Sequence, residues 1–172
     1  ENSRTVDVSI EIDRGRKVYV GEINVIGNTR TLDNVIRREF RLKEGELFDS
    51  VKLKRSKQRI NNLQFFEDVK VDTRQGKEPD LIDITTTVTE RQTGSVNVGA
   101  GFSSAEKLIF NAGISQNNFM GTGRRLIFST NLSSRRTDFN LSLTDPRLFD
   151  TDISSGIDAF NRETNYYSYK SR

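Results

Sequence analysis

Apolar and polar residues alternate with two different periods along this chain of 172 residues. In its first half the pattern switches between period two and helical spacing. Val6, Val8, Ile10 and Ile12 alternate with Asp7, Ser9 and Glu11, which predicts a strand ended by Asp13-Arg14-Gly15. A lone strand at that place needs partners, so residues 1–15 are expected to be the last strand of a preceding domain. Residues 18–26 predict another strand, with Ile23 and Val25 on one face and Glu22 and Asn24 on the other. Gly27-Asn28 ends it as a turn. Thr31 then stands as a candidate helix N-cap, with Asp33 in a first turn where the helix dipole favours an anion. Leu32, Val35, Ile36 and Phe40 follow at helical spacing and predict an amphipathic helix over 31–42, stopped by Gly45.

Asp49 or Ser50 can cap a second helix, with Leu53, Ile60 and Leu63 on one stripe. Lys52, Lys54, Arg55, Lys57 and Arg59 mostly face solvent, and Phe65-Phe66 closes the core beneath. Val69 and Val71 alternate with charges, a turn-rich loop follows over 74–80, and Ile82, Ile84, Thr86 and Val88 line one face of a third strand. One mixed sheet with both helices on one face buries both helical stripes. The expected fold over 16–91 is therefore α+β, in the order β-α-α-β-β.

From residue 92 onward the period is strictly two. Val96, Val98, Ala100 and Phe102 share a face against Ser95, Asn97, Gly99 and Gly101. Leu108, Phe110, Ala112 and Ile114 repeat the pattern, as do Leu126, Phe128 and Leu132, then Phe139, Leu141 and Leu143. A fifth, weaker strand is expected over 153–161. The opposite face carries Ser, Asn, Gly and Thr, where a soluble sandwich would carry Lys and Glu. The strands approach the ~9–11 residues that cross a bilayer in a barrel. The pattern suits a polar barrel lumen better than a water-facing sheet, although a soluble sandwich stays open on pattern alone.

Composition narrows the chemistry. Hydrophobic residues make up 33% of the chain, and the 27 basic and 24 acidic residues leave a net charge of +3. The charges are interspersed, with no basic run and no aromatic-basic interleaving, so no nucleic-acid binding is expected. Cysteine and histidine are both absent. That removes thiolate nucleophiles, His general bases and His or Cys metal sites. Glu44 and Glu46 read as a surface cluster at a helix end, and no enzyme, cofactor or metal site is expected.

Several segments, in order, resemble one family. Val20-Gly21-Glu22-Ile23 with Ile26-Gly27-Asn28-Thr29 is similar to the opening strand and turn of a POTRA domain. Val35-Ile36-Arg37-Arg38-Glu39-Phe40 and Glu44-Gly45-Glu46-Leu47-Phe48 resemble its first helix and the following turn. Asn62-Leu63-Gln64-Phe65-Phe66 is similar to the end of its second helix, with Gln64 where the family usually has Gly. Asn117-Asn118-Phe119-Met120-Gly121-Thr122-Gly123 and Thr144-Asp145-Pro146 resemble two barrel turns. Together they resemble the BamA family of outer-membrane β-barrel assembly proteins. The resemblance implies a last POTRA domain over 16–91 and the first antiparallel strands of a transmembrane barrel over 92–172. It also implies further barrel strands, since an open sheet with bare edges and a lipid-facing side does not stand alone.

The implied location is the outer membrane of a Gram-negative bacterium, with the POTRA part in the periplasm. The implied partners are unfolded outer-membrane proteins as substrates, accessory outer-membrane lipoproteins and outer-membrane lipid. The first barrel strand, Ser95, Val96, Asn97, Val98, Gly99, Ala100, Gly101 and Phe102, is implied to be one side of a lateral gate. Its glycines would leave the register loosely specified, and its edge would receive a substrate strand by β-augmentation. Proline at Asn97 or Gly99 would probe that edge if the amide points outward, which sequence does not reveal. Arg37 and Glu44 match positions that contact an accessory lipoprotein, while Asn118, Gly121 and Gly123 read as turn formers. The competing readings are a POTRA-barrel transporter of the two-partner secretion type and a soluble POTRA-like binding module.

Overall fold

The computed structural model describes residues 16–165. The expected strand over 1–15 lies outside them. The first unit is β1 (Tyr19–Ile26), α1 (Asp33–Arg37), α2 (Ser50–Asn62), β2 (Phe66–Gln75) and β3 (Leu81–Glu90). Its sheet has the order β1-β3-β2, with β1 parallel and β2 antiparallel to β3. Both apolar helix stripes bury against this sheet, as the spacing predicts. Val35, Ile36 and Ile60 pack with Phe65, Phe66, Val69 and Val88, while Val20, Ile23, Leu42 and Ile84 form an adjoining cluster.

The helix predicted over 31–42 is much shorter. It spans Asp33–Arg37, its N-cap position is Leu32, and that residue supplies no side-chain cap. Thr31 is instead buried and bonded elsewhere, as described below. Leu32, expected on the apolar stripe, is exposed. The second helix follows the sequence reading: Asp49 accepts the backbone N–H groups of Val51 and Lys52, satisfying donors that have no partner inside the helix.

Strand β1 departs from simple alternation. Its register on β3 shifts between Val20 and Ile23, so both side chains point into the core although they lie three apart. Two carboxylates close the resulting bulge: Asp83 Oδ1 accepts the Glu22 N–H at 2.8 Å and Glu44 Oε1 accepts that of Ile23 at 3.0 Å. Gln64, at the position where the family has Gly, sits at φ +59°, the left-handed region that glycine enters without strain.

Residues 91–93 lead straight into a second sheet of β4 (Gly94–Ser103), β5 (Lys107–Phe119), β6 (Arg124–Ser133), β7 (Arg136–Asp145) and β8 (Ser155–Thr164). These five form an antiparallel meander in chain order. The last strand begins two residues later and runs further than the 153–161 expected. Register aligns the apolar residues across the sheet: Val96 faces Ile114, Ile114 faces Phe128, and Phe128 faces Leu141. The opposite face is mostly polar, though Ile109, Ile127 and Phe160 also lie on it by register. Asp138 is buried there between Arg136 and Arg162. Among the described residues no helix is long and apolar enough to cross a membrane; strands meet that requirement in another way, by closing into a barrel.

Candidate functional site

The residues singled out on β4 lie on the edge of the second sheet. Among the described residues β4 pairs on one side only, with β5. That pairing is continuous, from Gly94 opposite Gln116 to Ser103 opposite Lys107, with no register shift. Gly99 and Gly101 both lie within this unbroken ladder. Asn111 lies over Gly99, its Oδ1 2.4 Å from where a Cβ would stand, and Asn97 lies over Gly113 in the same way at 2.5 Å. The glycines make room for the asparagine opposite.

Backbone polarity along β4 follows from one bond. Asn117 donates its N–H to the Thr93 carbonyl at 3.1 Å, and Asn117 is the next partner in the β4–β5 register. Antiparallel pairs alternate between those that exchange hydrogen bonds and those that do not. Ser95, Asn97, Gly99 and Gly101 therefore direct their N–H and C=O groups to β5. Val96, Val98, Ala100 and Phe102 direct theirs outward. The amides of Asn97 and Gly99 both point away from the open edge, so proline there would strike the β4–β5 ladder. The outward set carries the apolar face as side chains, with Val96, Val98 and Phe102 each more than 70% exposed.

Arg37 and Glu44 come together near the first helix. Arg37 Nη1 lies 3.6 Å from Glu44 Oε1, and Arg37 also pairs with Asp33 one turn earlier. Glu44 has a second task, because the same Oε1 accepts the Ile23 N–H in the β1 bulge. Glu46 pairs instead with Lys52. Hydrogen bonds from Lys52 and from the Lys43 backbone hold its carboxyl below the usual range. Among the described residues no group of three or more His, Cys, Asp or Glu is arranged to hold a metal ion.

The residues that sequence reading missed lie where the two sheets meet. The β5–β6 turn, read as a plain turn, is seated on the loop before α1. Asn118 Nδ2 donates to Thr31 Oγ1 at 2.8 Å, and Leu32 N–H donates to the Gly121 carbonyl at 2.9 Å. Gly121 has φ +72°, and a Cβ there would lie 1.9 Å from the Arg30 carbonyl oxygen. A second contact is ionic. Glu39, 4% exposed, receives Arg59 of α2 at 2.8 Å and Arg147 of the β7–β8 connection at 3.0 Å. Arg38 reaches Asp150 of the same connection at 2.9 Å. A cleft of about 490 Å³ opens along this junction, lined in part by Arg38, Glu39, Arg59 and Arg147. The partners lie far apart in sequence, so no local signal could have paired them.

Residues 18–91 match the POTRA family, described as a surface antigen variable number repeat, and residues 118–172 match the Omp85 superfamily domain. The chain is 38% identical over 161 residues to the outer membrane protein assembly factor BamA of Neisseria meningitidis, covering 93% of this chain and 20% of that protein. The chain belongs to the BamA/Omp85 family.

The BamA of Nitratidesulfovibrio vulgaris is 34% identical over 167 residues, with 92% of this chain and 21% of that protein covered. The crystal structure of BamA from Haemophilus ducreyi lacking POTRA domains 1–3 superposes with a TM-score of 0.78 at 35% identity, covering 88% of this chain and 29% of that one. The chain thus spans about a fifth of the length of the curated BamA relatives it matches. The β-α-α-β-β unit is a POTRA fold, and the meander after it matches the start of the BamA barrel. Both BamA relatives carry the name of outer membrane protein assembly factors.

Proposed function

We propose that this segment serves an outer-membrane protein assembly factor, with the POTRA domain in the periplasm and β4–β8 in the membrane. Its substrates are unfolded outer-membrane proteins, and substrate folding itself drives the process. β4, from Ser95 to Phe102, is the lateral gate and template strand. The observation that carries this reading is the outward row of N–H and C=O groups on Val96, Val98, Ala100 and Phe102, which offers an arriving strand a ready ladder. Main-chain pairing accepts many sequences, as a factor with varied substrates requires. The apolar side chains of the same residues meet lipid. On the POTRA domain, Arg37 and Glu44 form a charged surface for an accessory outer-membrane lipoprotein, and the outer edge of β2 can guide extended segments.

Depletion of the full-length protein in its parent bacterium tests the reading. Folded, heat-modifiable barrel proteins should fall and their unfolded forms should gather in the periplasm. If barrel proteins fold normally while a single exported polypeptide is lost, the assembly reading fails and the secretion-transporter reading replaces it.

A further inference from the structure

The step from the POTRA domain to β4 is short, yet it is not a free hinge. Glu90 is the last residue of β3 and Gly94 the first of β4, with Arg91, Gln92 and Thr93 between. The Glu90 carboxylate accepts from Thr29 Oγ1 at 2.8 Å, from the Arg30 N–H at 2.9 and 3.1 Å, and from the Thr31 N–H at 2.6 Å. The loop it grips is the one that seats the β5–β6 turn through Thr31 and Leu32. Within that turn Asn118 Oδ1 also accepts the Gly123 N–H at 2.8 Å, so one buried amide holds both the turn and the loop. From the turn the contact returns to the linker, because Asn117 donates to Thr93 and Gln116 Oε1 accepts from Thr93 Oγ1. The circuit closes on itself: Glu90, the 29–32 loop, the 118–123 turn, β5, Thr93 and Glu90 again.

We infer that Glu90 is a positioning residue whose carboxylate, at the end of β3, clasps the POTRA loop on which the β5–β6 turn is seated, so that a displacement of the POTRA domain is delivered through that turn and β5 to the gate strand. The inference rests on the gate reading of β4. A short linker alone leaves several backbone torsions free, whereas the circuit through the 29–32 loop, the 118–123 turn and Thr93 ties its two ends together. A carboxylate suits the task because it is acceptor-only and faces only donors, and bonds to an ionised acceptor are roughly twice as strong as neutral ones. Burial pulls the Glu90 carboxyl up, but the bonds from Thr31, Thr29 and Arg30 outweigh this and hold it below its ordinary value. Glutamine is a poor substitute, since its amide group would set donor against donor.

The test uses full-length protein in lipid nanodiscs, with spin labels on cysteines replacing exposed Lys57 of α2 and exposed Ala105 of the β4–β5 turn. The native clasp should give one narrow distance distribution. Glu90→Gln should broaden it and slow substrate assembly several-fold, with the POTRA domain still melting cooperatively, if at a lower temperature. A disulfide from Thr31→Cys with Asn118→Cys, placed in unlabelled Glu90→Gln protein, should restore assembly. An unchanged distribution overturns the clasp. A broadened distribution with full assembly, or a slowed assembly that the disulfide does not restore, overturns the coupling. The distance arm is independent of substrate, so it separates failure of the clasp from failure of the gate reading.

Discussion

Proline at Val98 and proline at Asn97 are expected to fail in different ways, although the residues are adjacent. The Val98 N–H points out of the sheet edge and makes no bond to β5. Removing it leaves the β4–β5 ladder complete, and edge strands tolerate proline. A substrate strand that pairs there meets a missing donor, and its own carbonyl is left unsatisfied at a cost of about 1–3 kcal/mol. That corresponds to about a 5- to 150-fold loss in the pairing equilibrium. The Asn97 N–H instead faces Gly113 within the sheet, so the same cost of about 1–3 kcal/mol falls on the barrel wall itself. Reconstituted full-length protein should therefore show slow substrate folding for Val98→Pro with normal heat-modifiable migration of the factor. Asn97→Pro should show weakened migration of the factor. Val98→Ala and Asn97→Ala serve as controls, since they keep the amide. If Val98→Pro folds substrate as fast as Val98→Ala, the outward ladder is not used and the reasoning is refuted.

Four further outcomes follow from the geometry. Glu44→Lys should weaken lipoprotein binding and also lower POTRA stability by about 1–3 kcal/mol, because the Ile23 N–H loses its acceptor; a titration with an unchanged melt would return Glu44 to the surface alone. Ile60→Ala, at a fully buried site in the core, should cost about 2–5 kcal/mol in urea unfolding of the POTRA domain, and a smaller shift would mean that α2 is loosely packed. Arg147→Met should loosen docking at the β7–β8 connection while sparing the POTRA melt, since Arg59 still pairs Glu39; hydrogen exchange in the 146–152 region reads this, and unchanged exchange counts against it. The Glu90 carboxyl is depressed in the folded state, so its contribution is present above the unfolded value and fades as pH falls through the folded one. Melts on acidification through that window should lose stability in the native protein, and Glu90→Gln should remove that part of the slope.

The sequence revealed the strands of the second sheet because alternation at period two reads side-chain direction directly. Val96, Val98, Ala100 and Phe102 lie on one face as their spacing requires. The same alternation is silent about which backbone edge carries the free amides, and that depends on pairing with β5. Thr31 shows a different limit. Its type and place fit a helix cap, yet its hydroxyl bonds Asn118 and its N–H bonds Glu90, residues far along the chain. The helix starts later, and it stops at Arg37, before the apolar spacing of Phe40 and Leu42 ends. Gln64 carries a left-handed φ with no glycine to announce it, and its carbonyl accepts Arg91 Nε at 2.7 Å. Glu44 was legible as an exposed residue at a helix end, but its bond across the β1 bulge was not, because the acceptor of the Ile23 N–H lies 21 residues further along the chain.

The central claim is that the open edge of β4 receives substrate, and a disulfide measures it directly. Asn97 exchanges hydrogen bonds with β5, so toward an outer neighbour it occupies a non-hydrogen-bonded position, where Cα atoms approach to about 4.5 Å and cysteines can join. In full-length protein carrying Asn97→Cys, with a stalled substrate bearing single cysteines along its terminal strand, the account predicts a crosslink that peaks at one substrate position, the residue directly opposite Asn97 in a single register. Capture of only the factor's own last strand, at every substrate position tried, would contradict it.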